Sequence, residues 1–91
     1  MLVALVAKDK PGSLGVRQEN RPAHLDYLKA SAGTVHMAGP LIGDDGAMIG
    51  SLVVLDVADM AAAEDWAAAD PYARAGLFDE VTLTEWKKVI G

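Results

Sequence analysis

Two short segments carry the residues best suited to chemistry. Ala69-Asp70-Pro71-Tyr72 puts a carboxylate in a loop behind a helix, and Arg21-Pro22-Ala23-His24-Leu25 puts an imidazole on an earlier helix. If the fold brings them together, Asp70 accepts a hydrogen bond from one ring nitrogen of His24, fixes the tautomer and leaves the other nitrogen as a general base. Histidine suits that task because its unperturbed pKa of ~6.5 lies near working pH, and a positioned acid or base contributes ~10² to 10⁴ in rate. Proton abstraction beside a carbonyl then needs only a polar group to hold the developing enolate. Ser51, Tyr72 or a backbone N–H near Gly39 could supply it, and Pro40 and Pro71 flank the same segments as further candidate substrate contacts.

Each residue also has a plain structural explanation. An Asp before proline is a good N-cap for a short turn over residues 71–75, with Pro71 in its preferred first position. His24 could be a partly exposed helix histidine beside Arg21. The roles are compatible, since a capping Asp can still hold a histidine. His36, with Val35 and Met37 on the opposite parity, reads as structural. Arg17 and Arg21 lie about one turn apart and could bind a carboxylate, but a solvated helix edge explains them as well. Trp66, Phe78 and Trp86 read as core. No His-x-x-x-His spacing points to a metal, and Gly12-Ser13-Leu14-Gly15 lacks the context of a phosphate loop, so neither metal nor cofactor is expected.

The elements that must position these residues follow from patterning. Leu2 to Ala7 is apolar on both parities, as in a central strand covered on both faces, and stops at Lys8-Asp9-Lys10-Pro11-Gly12. A helix follows the Gly12–Gly15 loop, with Asn20 as cap, Pro22 in the first turn and Gly33 as its end. Residues 34–41 and 47–57 read as two strands joined at Gly43-Asp44-Asp45-Gly46. Asp59 caps an alanine-rich helix over 60–69, and residues 77–90 read as a long last strand. The order β-α-β-β-α-β is the ferredoxin-like split βαβ, an α+β fold with one antiparallel sheet and both helices on one face.

At 91 residues the chain is a single domain, 1–91, and a domain this small gains from pairing with a copy of itself. A hydrophobic content of 52% favours such a homodimer, because the sheet's second face would stay bare. Thirteen acidic against eight basic residues give a net charge of -5, which repels phosphate backbones and anionic lipid. Nucleic acid and membrane are therefore not expected partners, and a small-molecule ligand or substrate is. No cysteine is present, and the apolar N-terminus lacks a basic leader, so a cytoplasmic location is expected.

The chain resembles the YciI-like (YCII-related) family of small ferredoxin-like proteins over nearly its whole length. The resemblance rests on Arg21-Pro22-Ala23-His24-Leu25-Asp26-Tyr27-Leu28, Ala38-Gly39-Pro40-Leu41, Gly50-Ser51-Leu52-Val53-Val54, the run from Trp66 to Phe78, and Trp86. It implies a dimeric α/β barrel enclosing a cavity in each subunit, with His24 and Asp70 at its mouth. Relatives by fold include muconolactone isomerases, chloromuconolactone dehalogenases and small metal-free monooxygenases, which suggests a small organic acid or lactone undergoing proton abstraction, elimination, isomerisation or hydrolysis. His36 departs from the family pattern and receives no role. The rival readings are a non-catalytic small-molecule-binding or accessory interaction module, and a His24–Asp70 pair that only staples the fold.

Overall fold

The computed structural model describes residues Met1–Gly91. Its elements run β1 (Leu2–Asp9), α1 (Leu14–Ala30), β2 (Val35–Ile42), β3 (Met48–Asp56), α2 (Met60–Ala69), α3 (Pro71–Arg74) and β4 (Phe78–Trp86). The four strands form one antiparallel sheet in the order β2-β3-β1-β4. This is the expected α+β ferredoxin-like arrangement, with a single helical turn added before the last strand.

Period-two alternation sorts β1 into Val3, Leu5 and Ala7 on one face and Leu2, Ala4 and Val6 on the other. The first set is buried with Val53 and Leu55 of β3 and with Ala63 and Trp66 of α2. The helices therefore cover one face only. On the other face Leu2, Ala4 and Val6 are half-buried, while Met37, Leu52 and Trp86 are exposed. Within one chain β1 is thus covered on one side, not on both as its apolar run suggested.

The alanine-rich helix α2 starts on its expected cap. The Asp59 carboxylate accepts from the Ala62 N–H at 2.9 Å and starts α2. The Tyr27 hydroxyl donates to the Trp66 carbonyl at 2.8 Å, and their rings lie 4.9 Å apart, which ties α1 to α2. Gly50 is buried where any Cβ would collide with the Ala7 carbonyl oxygen, so the sheet admits only glycine there.

Several boundaries differ from expectation. The first helix begins at Leu14, so Pro22 lies inside it and Asn20 does not cap it; the Asn20 side chain instead donates back to the Val16 carbonyl at 2.9 Å. Proline removes one N–H bond from the helix interior, a loss that tertiary packing of α1 offsets here. Gly33 does not end α1 either: the Ser31 N–H closes the helix on Tyr27 and Leu28, and Gly33 lacks a positive φ. The last strand stops at Trp86, which leaves Val89 and Ile90 exposed beyond it.

Candidate active site

α1 carries Arg17, Arg21, His24 and Leu28 at intervals of four, three and four, so all four share one helical stripe. A stripe facing a sheet is ordinarily apolar. Here it faces Ala38, Gly39 and Pro40 of β2 and Ser51 of β3, and the gap between them is a cavity of about 150 Å³, completed by Leu25, Met48 and Tyr72. No Asp or Glu lines it.

Asp70 and α3 set one end of the site. The residue before Pro71 leaves helical geometry, with ψ of 129°, so α2 stops and α3 starts afresh on Asp70. Oδ1 of Asp70 accepts the Tyr72 N–H at 2.9 Å and stands 2.8 Å from Nδ1 of His24. Both side chains are buried, and the second ring nitrogen of His24 is not sealed: the one side-chain polar atom both buried and unpartnered is Trp66 Nε1. With Asp70 ionised, Nδ1 carries the proton and donates it, leaving the lone pair of Nε2 for the cavity. The Tyr72 ring stacks on the imidazole, centroids 3.9 Å apart and planes at 16°, and fixes its plane. Burial pushes the Tyr72 phenol above its ordinary range, more than the positive charges of Arg17 and Arg21 pull it down.

The other end is built on Arg17, which sits at 2% exposure. Its Nε donates to Asp9 Oδ2 at 2.6 Å, and its Nη2 donates to Asp9 Oδ1 and to Ser51 Oγ, both at 2.9 Å. The guanidinium also packs over the Tyr72 ring, 4.6 Å from Cζ to the centroid. Burial works against its charge, but the hydrogen bonds and charge of Asp9 outweigh it and raise Arg17 above its usual value. Asp9 reaches this position because it continues the inward parity of Val3, Leu5 and Ala7 at the end of β1.

Of the residues singled out in the sequence, His24, Ser51, Gly39, Pro40 and Tyr72 line the cavity, and Asp70 stands directly behind His24. Pro71 does not line it; it opens α3. His36 is exposed in β2 where the pairing with β3 is irregular. No three His, Cys, Asp or Glu side chains cluster as a metal site requires. Arg17 and Asp9 went unrecognised as a pair. The signal available was a charge at position 17 on the same stripe as His24, visible only if the helix starts before it.

Comparison with known proteins places this geometry in context. Residues 1–87 match the YCII-related domain. Protein YciI of Escherichia coli O6:H1 is 39% identical over 97 residues, a match spanning 98% of this chain and 99% of that protein. Among solved structures, the 5-chloro-2-hydroxyhydroquinone dehydrochlorinase TftG of Burkholderia phenoliruptrix, in complex with 2,5-dihydroxybenzoquinone, superposes with a TM-score of 0.89 at 35% identity, covering 96% of this chain and 94% of its own. An antibiotic biosynthesis monooxygenase described from Bacteroides thetaiotaomicron, 13% identical with a TM-score of 0.62 over 99% of this chain and 90% of its own, shares the fold alone. No helix is long and apolar enough to cross a membrane.

Proposed function

Since the chain belongs to the YCII-related family, we propose that it is a small enzyme in which His24, oriented by Asp70, moves a proton on a small oxygen-bearing substrate. One observation carries the reading: the 2.8 Å contact of His24 Nδ1 with Asp70 leaves Nε2 unpartnered on a cavity of about 150 Å³. A space near that volume accepts one six-membered ring. Small organic acids, lactones and hydroxylated rings are the substrate class.

The step starts with Nε2 taking a proton from a C–H beside a carbonyl or from a ring hydroxyl. The freed electron pair forms an enolate or a C=O bond. From there a leaving group departs with its own electron pair, which is elimination, or the imidazolium returns its proton to another carbon, which is isomerisation. Asp70 acts through the imidazole, holding its tautomer and stabilising the cation formed in the step. Ser51, Tyr72 and the β2 backbone at Gly39 and Pro40 contact the substrate. That TftG is a dehydrochlorinase supports the elimination branch.

We further propose that the half-exposed sheet face around Ala4, Val6 and Leu52 pairs with that of a second copy, giving a dimeric α/β barrel. Light scattering of the wild type should report twice the 9.5 kDa chain mass, and Leu52→Glu should shift it toward monomer. A concentration-independent 9.5 kDa species in the wild type excludes the pairing.

The deciding experiment is an NMR titration of the His24 imidazole in the wild type and in Asp70→Asn, with His36 as control, beside an assay of chloride release from chlorinated hydroquinones. The His24 imidazole signals should differ between the wild type and Asp70→Asn while those of His36 do not, and His24→Gln should lose turnover while staying folded. Identical titrations together with unchanged turnover in His24→Gln exclude it. A non-catalytic binding module would instead keep ligand affinity within a few fold in His24→Ala and show no turnover in the wild type.

A further inference from the structure

The hydrogen-bond inventory of the cavity wall contains an imbalance. A guanidinium has five N–H donors and no acceptor. In Arg17 the Nε proton goes to Asp9, and the two Nη2 protons go to Asp9 and Ser51. Neither Nη1 proton has an aligned acceptor in the chain, the Tyr72 phenol being the one further group with which the guanidinium hydrogen-bonds. Nη1 is nevertheless open at its surface, since Trp66 Nε1 is the one side-chain polar atom that is both sealed and unpartnered. Because Arg17 is 98% buried as a residue and lines this cavity and no other, its open donors face the cavity.

Ser51 has the matching feature. Its Oγ accepts from Arg17, which occupies a lone pair and leaves its own O–H without an acceptor in the chain, at 3% exposure on the same wall. The Tyr72 phenol, on a residue 1% exposed, hydrogen-bonds with the Arg17 guanidinium, which donates, and its own O–H has no acceptor in the chain. Arg21 lies at the rim, exposed and without an ion pair. The wall thus offers two arginines, a serine and a phenol as donors, with no carboxylate among them, in a chain whose net charge is -5. Buried polar groups ordinarily find partners within the protein.

We propose that Arg17 Nη1 and the Ser51 hydroxyl form a subsite for an anionic oxygen of the substrate, a carboxylate, enolate or phenolate oxygen, with Arg21 attracting the charge at the entrance. The proposal deepens the acid–base reading by naming the charge class of the substrate, and it places the oxyanion across the cavity from the base. Asp9 is a positioning residue: by taking the Nε–Nη2 edge of the guanidinium it holds Nη1 in place, and Arg17 in turn orients the Ser51 O–H as a donor. The arrangement withdraws negative charge from the carbon that His24 deprotonates, because the electron pair left behind is received at an oxygen already bonded to fixed donors.

The test compares benzoate with its neutral isostere benzamide by titration calorimetry on the intact protein. Wild type should prefer benzoate by roughly ten- to hundredfold, the range expected for hydrogen bonds to a charged group. Ser51→Ala should reduce that preference about tenfold, and Arg21→Met, an exposed position with no partner to strand, should reduce it several fold, each by weakening benzoate more than benzamide. Arg17 itself can be read without substitution: its guanidinium NMR signals should shift on adding benzoate and not benzamide. Equal affinity for the two probes, no benzoate binding up to millimolar concentration, or unmoved Arg17 signals overturns the subsite. The two readings fail separately, because a benzoate preference that persists while His24→Gln keeps full turnover removes the acid–base reading alone, and loss of turnover in His24→Gln without any wild-type preference for benzoate removes the subsite alone.

Discussion

Cutting Arg17 back to methionine should be the most damaging single change at the site. The Arg17–Asp9 pair is bidentate, at 2.6 and 2.9 Å, with side-chain exposures of 2% and 6%. At a charge separation of ~4 Å and an effective dielectric of ~20, the mutual attraction is about 4 kcal/mol. Removing only one partner leaves the Asp9 carboxylate buried without its cation, and such single truncations cost about 3 to 5 kcal/mol. That is a large fraction of the ~5 to 14 kcal/mol expected for a chain of this length. Urea unfolding followed by tryptophan fluorescence at fixed protein concentration gives the readout. With a slope of ~1 to 2 kcal/mol/M for a domain this small, Arg17→Met should lower the midpoint by ~1.5 to 5 M, or leave the chain unfolded in buffer. The double variant Asp9→Asn/Arg17→Met, which removes both charges, should recover much of the loss. A midpoint for Arg17→Met within ~0.5 M of wild type, or a double variant no more stable than Arg17→Met, would refute the assignment of a desolvated, mutually dependent pair.

Three further outcomes are expected. Asp70→Ala strands the Tyr72 N–H and the His24 ring together, so it should cost about 2 to 4 kcal/mol by denaturation, whereas Asp70→Asn, whose amide oxygen can still cap α3, should cost about 1 kcal/mol. Gly50→Ala forces a methyl into the Ala7 carbonyl, and thermal unfolding should show a loss of at least ~2 kcal/mol; a neutral substitution would mean that β1 and β3 can separate there. Burial raises the phenols of Tyr72 and Tyr27, in both cases helped by the charge of Asp70, so the folded chain holds these protons more tightly than the unfolded one. Their contribution is therefore complete below the ordinary tyrosine value of ~10 and is lost as pH rises through the folded values, so Tyr72→Phe should flatten the alkaline limb of a stability–pH profile.

The His24–Asp70 contact was readable because each residue sits beside a feature with a local consequence. The X-Pro step at Asp70-Pro71 breaks the chain between α2 and α3 whatever surrounds it, and His24 belongs to a helix that any periodicity finds. The Arg17–Asp9 pair was hidden for the same kind of reason working in reverse. Pro22 and Asn20 both favour helix starts, so local preference places the N-terminus several residues late, and Arg17 reads as a solvated edge and not as part of the His24 stripe. In the fold, docking of the Arg17–His24–Leu28 stripe on the sheet overrides that preference. Asp9 was masked by its neighbours, since Lys8-Asp9-Lys10 reads as a solvated turn and only the strand parity beyond Ala7 shows that the middle charge points inward.

Stability alone gives no reason for burying Arg17. An apolar pair of similar volume at positions 9 and 17 would fill the same space without desolvating two charges, and such replacements are often neutral or stabilising. An ion pair does supply what an apolar pair cannot: a donor whose direction is set from outside the cavity. The same division holds at the other end, where Asp70 aims the imidazole but lines no part of the cavity. Two buried carboxylates thus stand behind the site, each orienting a side chain that faces into it, and each depends on a different element, Asp9 on the parity of β1 and Asp70 on the cap of α3. If that is their role, the two should differ from the groups they hold in a measurable way. Asp70→Asn should move the pH at which turnover falls while changing substrate affinity little, because it alters the base and not the oxyanion subsite. Asp9→Asn should do the opposite, loosening Arg17 and weakening anion binding while leaving the pH profile set by His24 in place. Steady-state pH profiles of the two variants separate the cases, and a pH shift in Asp9→Asn equal to that in Asp70→Asn would mean that the two ends of the cavity are one coupled network instead of two independently built halves.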